Sequence, residues 1–323
     1  MDIIRWGKRI SLWAILSSLL AISPAYADTQ SSARRVALSF DDIPRGEGAF
    51  MTMDDRTDKI IAALKGSGAA QVVFFLNPCK LSEAQGAGGE ARIAAYVAAG
   101  HVIANHSCTH PQLSNSDTES YLADIDKAEA WLKGRPGYRP WFRFPYLDEG
   151  GADKVKRDAI RSGLAQRGLT NGYVTADGSD WNLEQLTLDA RAAGKDMDMK
   201  ALRKLYVASQ MSALDYHDEL AQLTLGRSPA HVLLLHETDL AALFLPDLIA
   251  EMKRRGWAII SADEAFADPI NKAMPDVPFA AGTLTGSMAW ERDIAPPLSP
   301  LWMTVGVQKY LFEKQVLKDA VTQ

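Results

Sequence analysis

The sequence predicts an α/β fold in which parallel strands close into a barrel, and three observations carry that expectation. Seven short apolar runs recur along the chain, each nearly unbroken, as strands buried on both faces require. Segments with helically spaced apolar positions lie between them. Ionisable side chains stand at the ends of five of the seven runs, the face on which such barrels gather catalytic groups.

Composition narrows the class before any motif is read. The chain has 323 residues, is 47% apolar and carries a net charge of −5, which excludes a disordered chain. Two cysteines are too few for a disulfide framework or a thiolate-rich zinc site. There is no dense Lys/Arg run, so no nucleic-acid partner is expected.

The elements follow in chain order. Arg5, Lys8 and Arg9 precede an apolar stretch over residues 10–22, then Pro24 and Ala25-Tyr26-Ala27. This reads as a signal peptide over residues 1–27, removed before Asp28, since the apolar stretch is too short to cross a bilayer. The mature protein is therefore expected to be exported, periplasmic or secreted, with no stable membrane span. Export would let Cys79 and Cys108 pair. Strands are expected over residues 36–40, 72–76, 102–104, 141–144, 173–176, 232–235 and 257–260. Helices are expected over 54–65, 90–99, 118–133, 153–167 and 240–255, closed by Gly66, Gly100, Gly134, Gly168 and Gly256. Two regions break the rhythm. The long connection over 183–230 reads as a helical insertion of two helices, and the extension over 267–323 begins rich in Pro and Gly and ends in a helix near 307–320.

The chemistry collects after the strands. His106 and His110 stand four apart, so both imidazoles would share a face if that segment were helical. Two histidines and one carboxylate suit a catalytic zinc with a position left open for water. Asp41-Asp42 ends the first strand. Adjacent residues of a strand face opposite ways, but at a strand end both can reach one site, one as ligand and one as proton acceptor. Arg143, set among Trp141, Phe142 and Phe144, needs a carboxylate such as Asp41 or Asp180 if it is buried. His236, after Leu233-Leu234-Leu235, occupies a place where a general acid would be dry. His101, His217 and His231 read as structural.

Taken together, five motifs resemble those of the polysaccharide deacetylases, carbohydrate esterase family four. They are Ser39-Phe40-Asp41-Asp42, His106-Ser107-Cys108-Thr109-His110, Arg143-Phe144-Pro145-Tyr146, Asp177-Gly178-Ser179-Asp180-Trp181 and Leu233-Leu234-Leu235-His236. They stand in the family's order and lie within a barrel placed at residues 34–266. The resemblance implies a distorted (β/α)7 barrel that removes N-acetyl groups from amino-sugar polymers or oligomers, peptidoglycan- or chitin-like. It implies that Asp42, His106 and His110 hold a divalent metal, most often zinc, which activates the attacking water. Asp41 would be the general base, oriented by Arg143. The Tyr146 backbone would support the oxyanion, Asp180 would support the general acid His236, and Trp181 and Leu235 would wall the acetyl pocket. Ile43 stands where the family's first motif has glycine. The rival readings are an O-acetyl esterase on hemicellulose or another glycan, an amidase on a small cyclic substrate, and a non-catalytic glycan-binding protein.

Overall fold

The computed structural model describes residues 33–69, 71–298 and 303–317. The expected signal peptide lies outside the described residues. Eight strands form one parallel sheet: β1 (Arg35–Ile43), β2 (Val73–Leu76), β3 (Val102–Asn105), β4 (Tyr138–Phe142), β6 (Thr170–Asn171), β7 (Ala176–Asp177), β8 (Ala230–His236) and β9 (Ala258–Ile259). β5 (Asp148–Gly151) instead pairs antiparallel with β10 (Ala280–Ala281) in the carboxyl-terminal extension. Helices α1 (Met53–Gly66), α2 (Gly89–Ala98), α3 (Thr118–Leu132), α4 (Lys154–Gln166), α5 (Asp180–Ala192), α6 (Met199–Leu225) and α7 (Asp239–Arg254) connect the strands. After β9 come α8 (Ala262–Phe266), α9 (Leu284–Glu291) and α10 (Val305–Leu311), so the insertion is indeed two helices.

The curled sheet runs β6-β4-β3-β2-β1-β8-β7, with β9 paired to the start of β1. β6 and β7 stand at its two ends and are only two residues long. The chain between them bridges the gap: Gly172 N–H donates to Phe142 O in β4, and Thr175 N–H donates to Val232 O in β8. The barrel is therefore distorted at this seam, where the sequence suggests a full strand over 173–176. The run at 141–144 likewise ends early, and Arg143 and Phe144 fall just past β4.

Strand alternation sorts the side chains into two cores. Val36, Leu38, Phe40, Phe74, Leu76, Leu233 and Leu235 face outward onto the helices. Ala37, Val73, Phe75, Val102, Ala104 and Val232 face inward, where Phe266 of α8 fills the barrel. Gly100, Gly134, Gly168 and Gly256 take the left-handed conformation expected after their helices. After α1 that role passes from Gly66 to Gly68. No helix among the described residues is long and apolar enough to cross a membrane.

Candidate active site

The inward face ends, at the carboxyl side of the strands, in a pocket of about 460 Å³. Asp41, Asp42, His106, His110, Tyr146, Trp181 and His236 line it. Ser39 and Asp41 continue the inward phase of β1. Strict alternation would turn Asp42 away, but its left-handed backbone, φ 71°, brings it round to the same site.

Oδ1 of Asp42 and one ring nitrogen each of His106 and His110 lie within 4.8 Å of one another. Asp42 Oδ1 stands 3.0 Å from His110 Nε2 and 3.7 Å from His106 Nε2. That oxygen is buried and accepts no hydrogen bond among the described residues, an orphan that an ion would satisfy. His106 Nδ1 is held by the Arg143 carbonyl at 2.8 Å, which fixes the tautomer that leaves Nε2 free as a ligand. The residues present thus fit a divalent metal on a nitrogen, nitrogen, oxygen donor set. Burial pushes the His106 imidazole well below its usual range, which keeps it neutral for ligation. Burial alone would raise the Asp42 carboxyl, yet His110, His236 and Lys80 together hold it well below the usual range.

The two histidines meet through a loop, not a helical turn as their spacing suggests. Ser107 and His110 both have φ 64°, and the ring centroids come to 4.8 Å. The loop is pinned from four sides. Asn77 donates to His106 O and Ser107 O, and Asn105 Oδ1 accepts from Ser107 N. Asp124 of α3 accepts from the N–H groups of Cys108 and Thr109. Cys108 is joined to Cys79 by a disulfide, the fourth anchor. Thiol titration of denatured, unreduced protein should find no free thiol. Reduction should cost about 3–4 kcal/mol of stability, the loop-closure value for a crosslink spanning 29 residues.

Asp41 is buried and paired with Arg143, whose Nη1 reaches both carboxylate oxygens at 3.0 and 3.2 Å. Burial pushes the Asp41 carboxyl up to about 6 against the pull of Arg143 and His236. His236, the register partner of Asp41 across β1 and β8, faces the same space. Asp180 accepts from the His236 backbone N–H at 2.8 Å and holds its Nδ1 at 2.7 Å. Burial opposes the charged imidazole, but Asp180 and Asp42 outweigh it and raise the group to about 9.

One expectation is corrected. Leu235 is fully buried in the outward core and does not line the pocket. Leu234, one residue nearer the start of the strand, shares the inward phase of His236 and does line it. Period-two alternation back from His236 would have selected it. Arg45, Leu147, Asp177 and Gly282 also line the pocket. Asp177 is visible as the first residue of the fourth motif. Gly282 has no sequence signal, because it arrives from the extension when β10 pairs with β5 and its N–H donates to Leu147 O.

Residues 28–168 match the family described as polysaccharide deacetylase. No curated sequence matches significantly. Among solved structures, a mutant of a CE4 family pseudoenzyme from Bacillus anthracis, with restored enzymatic activity, aligns at 18% identity and TM-score 0.51. The alignment covers 73% of this chain and 68% of that one, and it shows a shared fold. A family 4 carbohydrate esterase from Streptomyces lividans in complex with acetate aligns at 22% identity and TM-score 0.47, covering 72% and 95%. A peptidoglycan deacetylase from Bacillus subtilis aligns at 18% identity and TM-score 0.47, covering 73% and 91%. The family match defines the class as hydrolases that act on the acetyl groups of glycans. Over residues 28–168, a little under half of its length, this chain is similar to that family.

Proposed function

We propose that the protein is an exported, metal-dependent deacetylase that hydrolyses N-acetyl groups on an amino-sugar polymer or oligomer. The observation that carries the reading is the convergence on one pocket of three ligating atoms from Asp42, His106 and His110 with a buried carboxylate, Asp41, and a carboxylate-backed imidazole, His236.

Asp42, His106 and His110 would hold the metal, and their two-nitrogen, one-oxygen donor set suits zinc. When bound, it would lower the pKa of a water and polarise the acetyl carbonyl. Asp41 takes the proton from the attacking water. Arg143 keeps that carboxylate oriented and compensates its burial. The backbone N–H of Tyr146, on a residue with φ 58°, would support the oxyanion. His236 donates its Nε2 proton to the leaving nitrogen, while Asp180 fixes its Nδ1 proton and ring orientation. Trp181 and Leu234 wall the space for the acetyl methyl. The C–N bond breaks, and the products are acetate and a free amine.

The test is acetate release by the zinc-loaded chain from a panel of N-acetylated and O-acetylated glycans. Release from an amino-sugar polymer is expected, lost with chelator and restored by zinc. Release only from O-acetylated glycans would make it an esterase. No release from any glycan, with zinc bound at one equivalent, would favour a glycan-binding protein on this fold.

A further inference from the structure

The extension that follows the barrel also reaches the catalytic loop. Gln308 lies on α10 and is fully buried although the helix is only seven residues long. Its side-chain amide is fully engaged. Nε2 donates to Gly178 O at 2.8 Å and to Ser209 Oγ, and Oε1 accepts from Asn182 Nδ2 at 2.8 Å. Two residues of the insertion converge on the same carbonyl: Ser209 Oγ donates to Gly178 O at 2.7 Å and Gln210 Nε2 donates at 3.1 Å. Ser179 Oγ adds a contact to Met303 O in the extension.

Gly178 is no ordinary anchor point. It sits between Asp177, which lines the pocket, and Asp180, which holds His236 by both its ring and its backbone. A Cβ at position 178 would lie 2.4 Å from the Gln210 side-chain amide, which would have to give up its present place beside Gly178 O. Asn182, bound to Gln308, lies on the first turn of α5, two residues after Asp180. The helix that presents Asp180 is therefore fastened from the extension on both sides of that residue.

We infer that Gln308 is a positioning residue for proton donation: it clasps the 177–182 loop so that Asp180 holds His236 in line with the leaving group. This rests on the deacetylase reading and adds a role for the extension that the barrel alone does not imply. None of its contacts is to Asp42, His106 or His110. Its loss should therefore leave the metal site intact and act on the step that needs an acid.

Leaving-group chemistry separates this from a general structural role. Amide cleavage requires a proton on the departing nitrogen, whereas an aryl acetate with a nitrophenolate leaving group departs without one. In the zinc-loaded full chain, Gln308→Ala should lower kcat on an N-acetylated amino-sugar oligomer by roughly 10–100-fold, part of what an acid supplies. KM, zinc stoichiometry and turnover of p-nitrophenyl acetate should stay near the parent values. Gln308→Glu retains the acceptor toward Asn182 but loses the donors to Gly178 and Ser209, so it should resemble the alanine variant. Asp180→Asn combined with Gln308→Ala should lose little more than Asp180→Asn alone, since both act through His236.

Equal losses on both substrates would overturn the inference, because the defect would then lie in the whole site. So would an unchanged amide rate in both Gln308 variants. If the unsubstituted chain cleaves neither substrate, the deacetylase reading itself has failed. If Gln308→Ala does not fold, Asn182→Ala breaks the same clasp from the other end and is read in the same way.

Discussion

Asp41→Asn is expected to lower kcat by roughly 10²–10⁴-fold, the range for loss of a general base, while the metal stays bound. The substitution keeps the shape of the side chain and leaves one oxygen to accept from Arg143. It removes the only feature the base needs, a carboxylate that can take a proton. The ligating atoms of Asp42, His106 and His110 are untouched, so zinc content by mass spectrometry should match the parent. The pH profile gives a second readout. Burial holds Asp41 up at about 6 before any metal charge is added, so kcat/KM of the parent should show an acidic limb, falling as the pH drops and the base protonates. His236, held up at about 9, must be protonated to act as acid, so the rate should fall again above that pH. A bound dication favours the Asp41 carboxylate and disfavours the imidazolium, so both limbs move to lower pH in the loaded protein. Asp41→Asn should erase the acidic limb and leave the alkaline one. If it keeps most of its rate, the base lies elsewhere.

That Asp41 and His236 would matter is legible in the sequence, because each ends an apolar run on the face where a parallel barrel opens. The helices were equally plain, since their apolar spacing and the glycines behind them are local signals. What escaped depends on geometry that periodicity does not encode. His106 and His110 meet through two left-handed residues, so the fourfold spacing pointed to the right partners by the wrong route. The motif points to Leu235 where strand alternation assigns Leu234, because a motif's letters carry no strand phase. Gln308 is one glutamine in a tail of low pattern, and its target is a backbone carbonyl that no side-chain pattern marks. The seam between β6 and β7 was also hidden. Tyr173 and Val174 look like strand residues, yet the chain there bridges the two ends of the sheet without pairing along a neighbour.

Arg143 sits at that seam, and Arg143→Met should damage the stability of the fold and the tuning of the base together. The guanidinium does three jobs with one planar group. Nη1 neutralises Asp41, Nη2 binds Ser39 Oγ at 3.2 Å and Tyr173 O at 3.3 Å, and Nε binds Gly172 O. Gly172 and Tyr173 are the residues that span the gap between β6 and β7, so the side chain ties the base to the closure of the barrel. Its face also lies 4.1 Å from the Phe75 ring centroid in the inward core. Methionine fills similar volume but leaves a buried carboxylate without a cation, a loss of about 3–5 kcal/mol. For a domain of this size that lowers Tm on the order of 10 °C. Without its cation Asp41 also protonates more readily, so the acidic limb of the rate profile should move to higher pH. Arg143→Lys restores the charge but not the fork, since one ammonium cannot reach Asp41 and the seam carbonyls together. It should recover the pH profile better than the melting temperature. A methionine variant that melts within a degree or two of the parent, with its acidic limb unmoved, would show that neither the seam nor the base depends on this arginine.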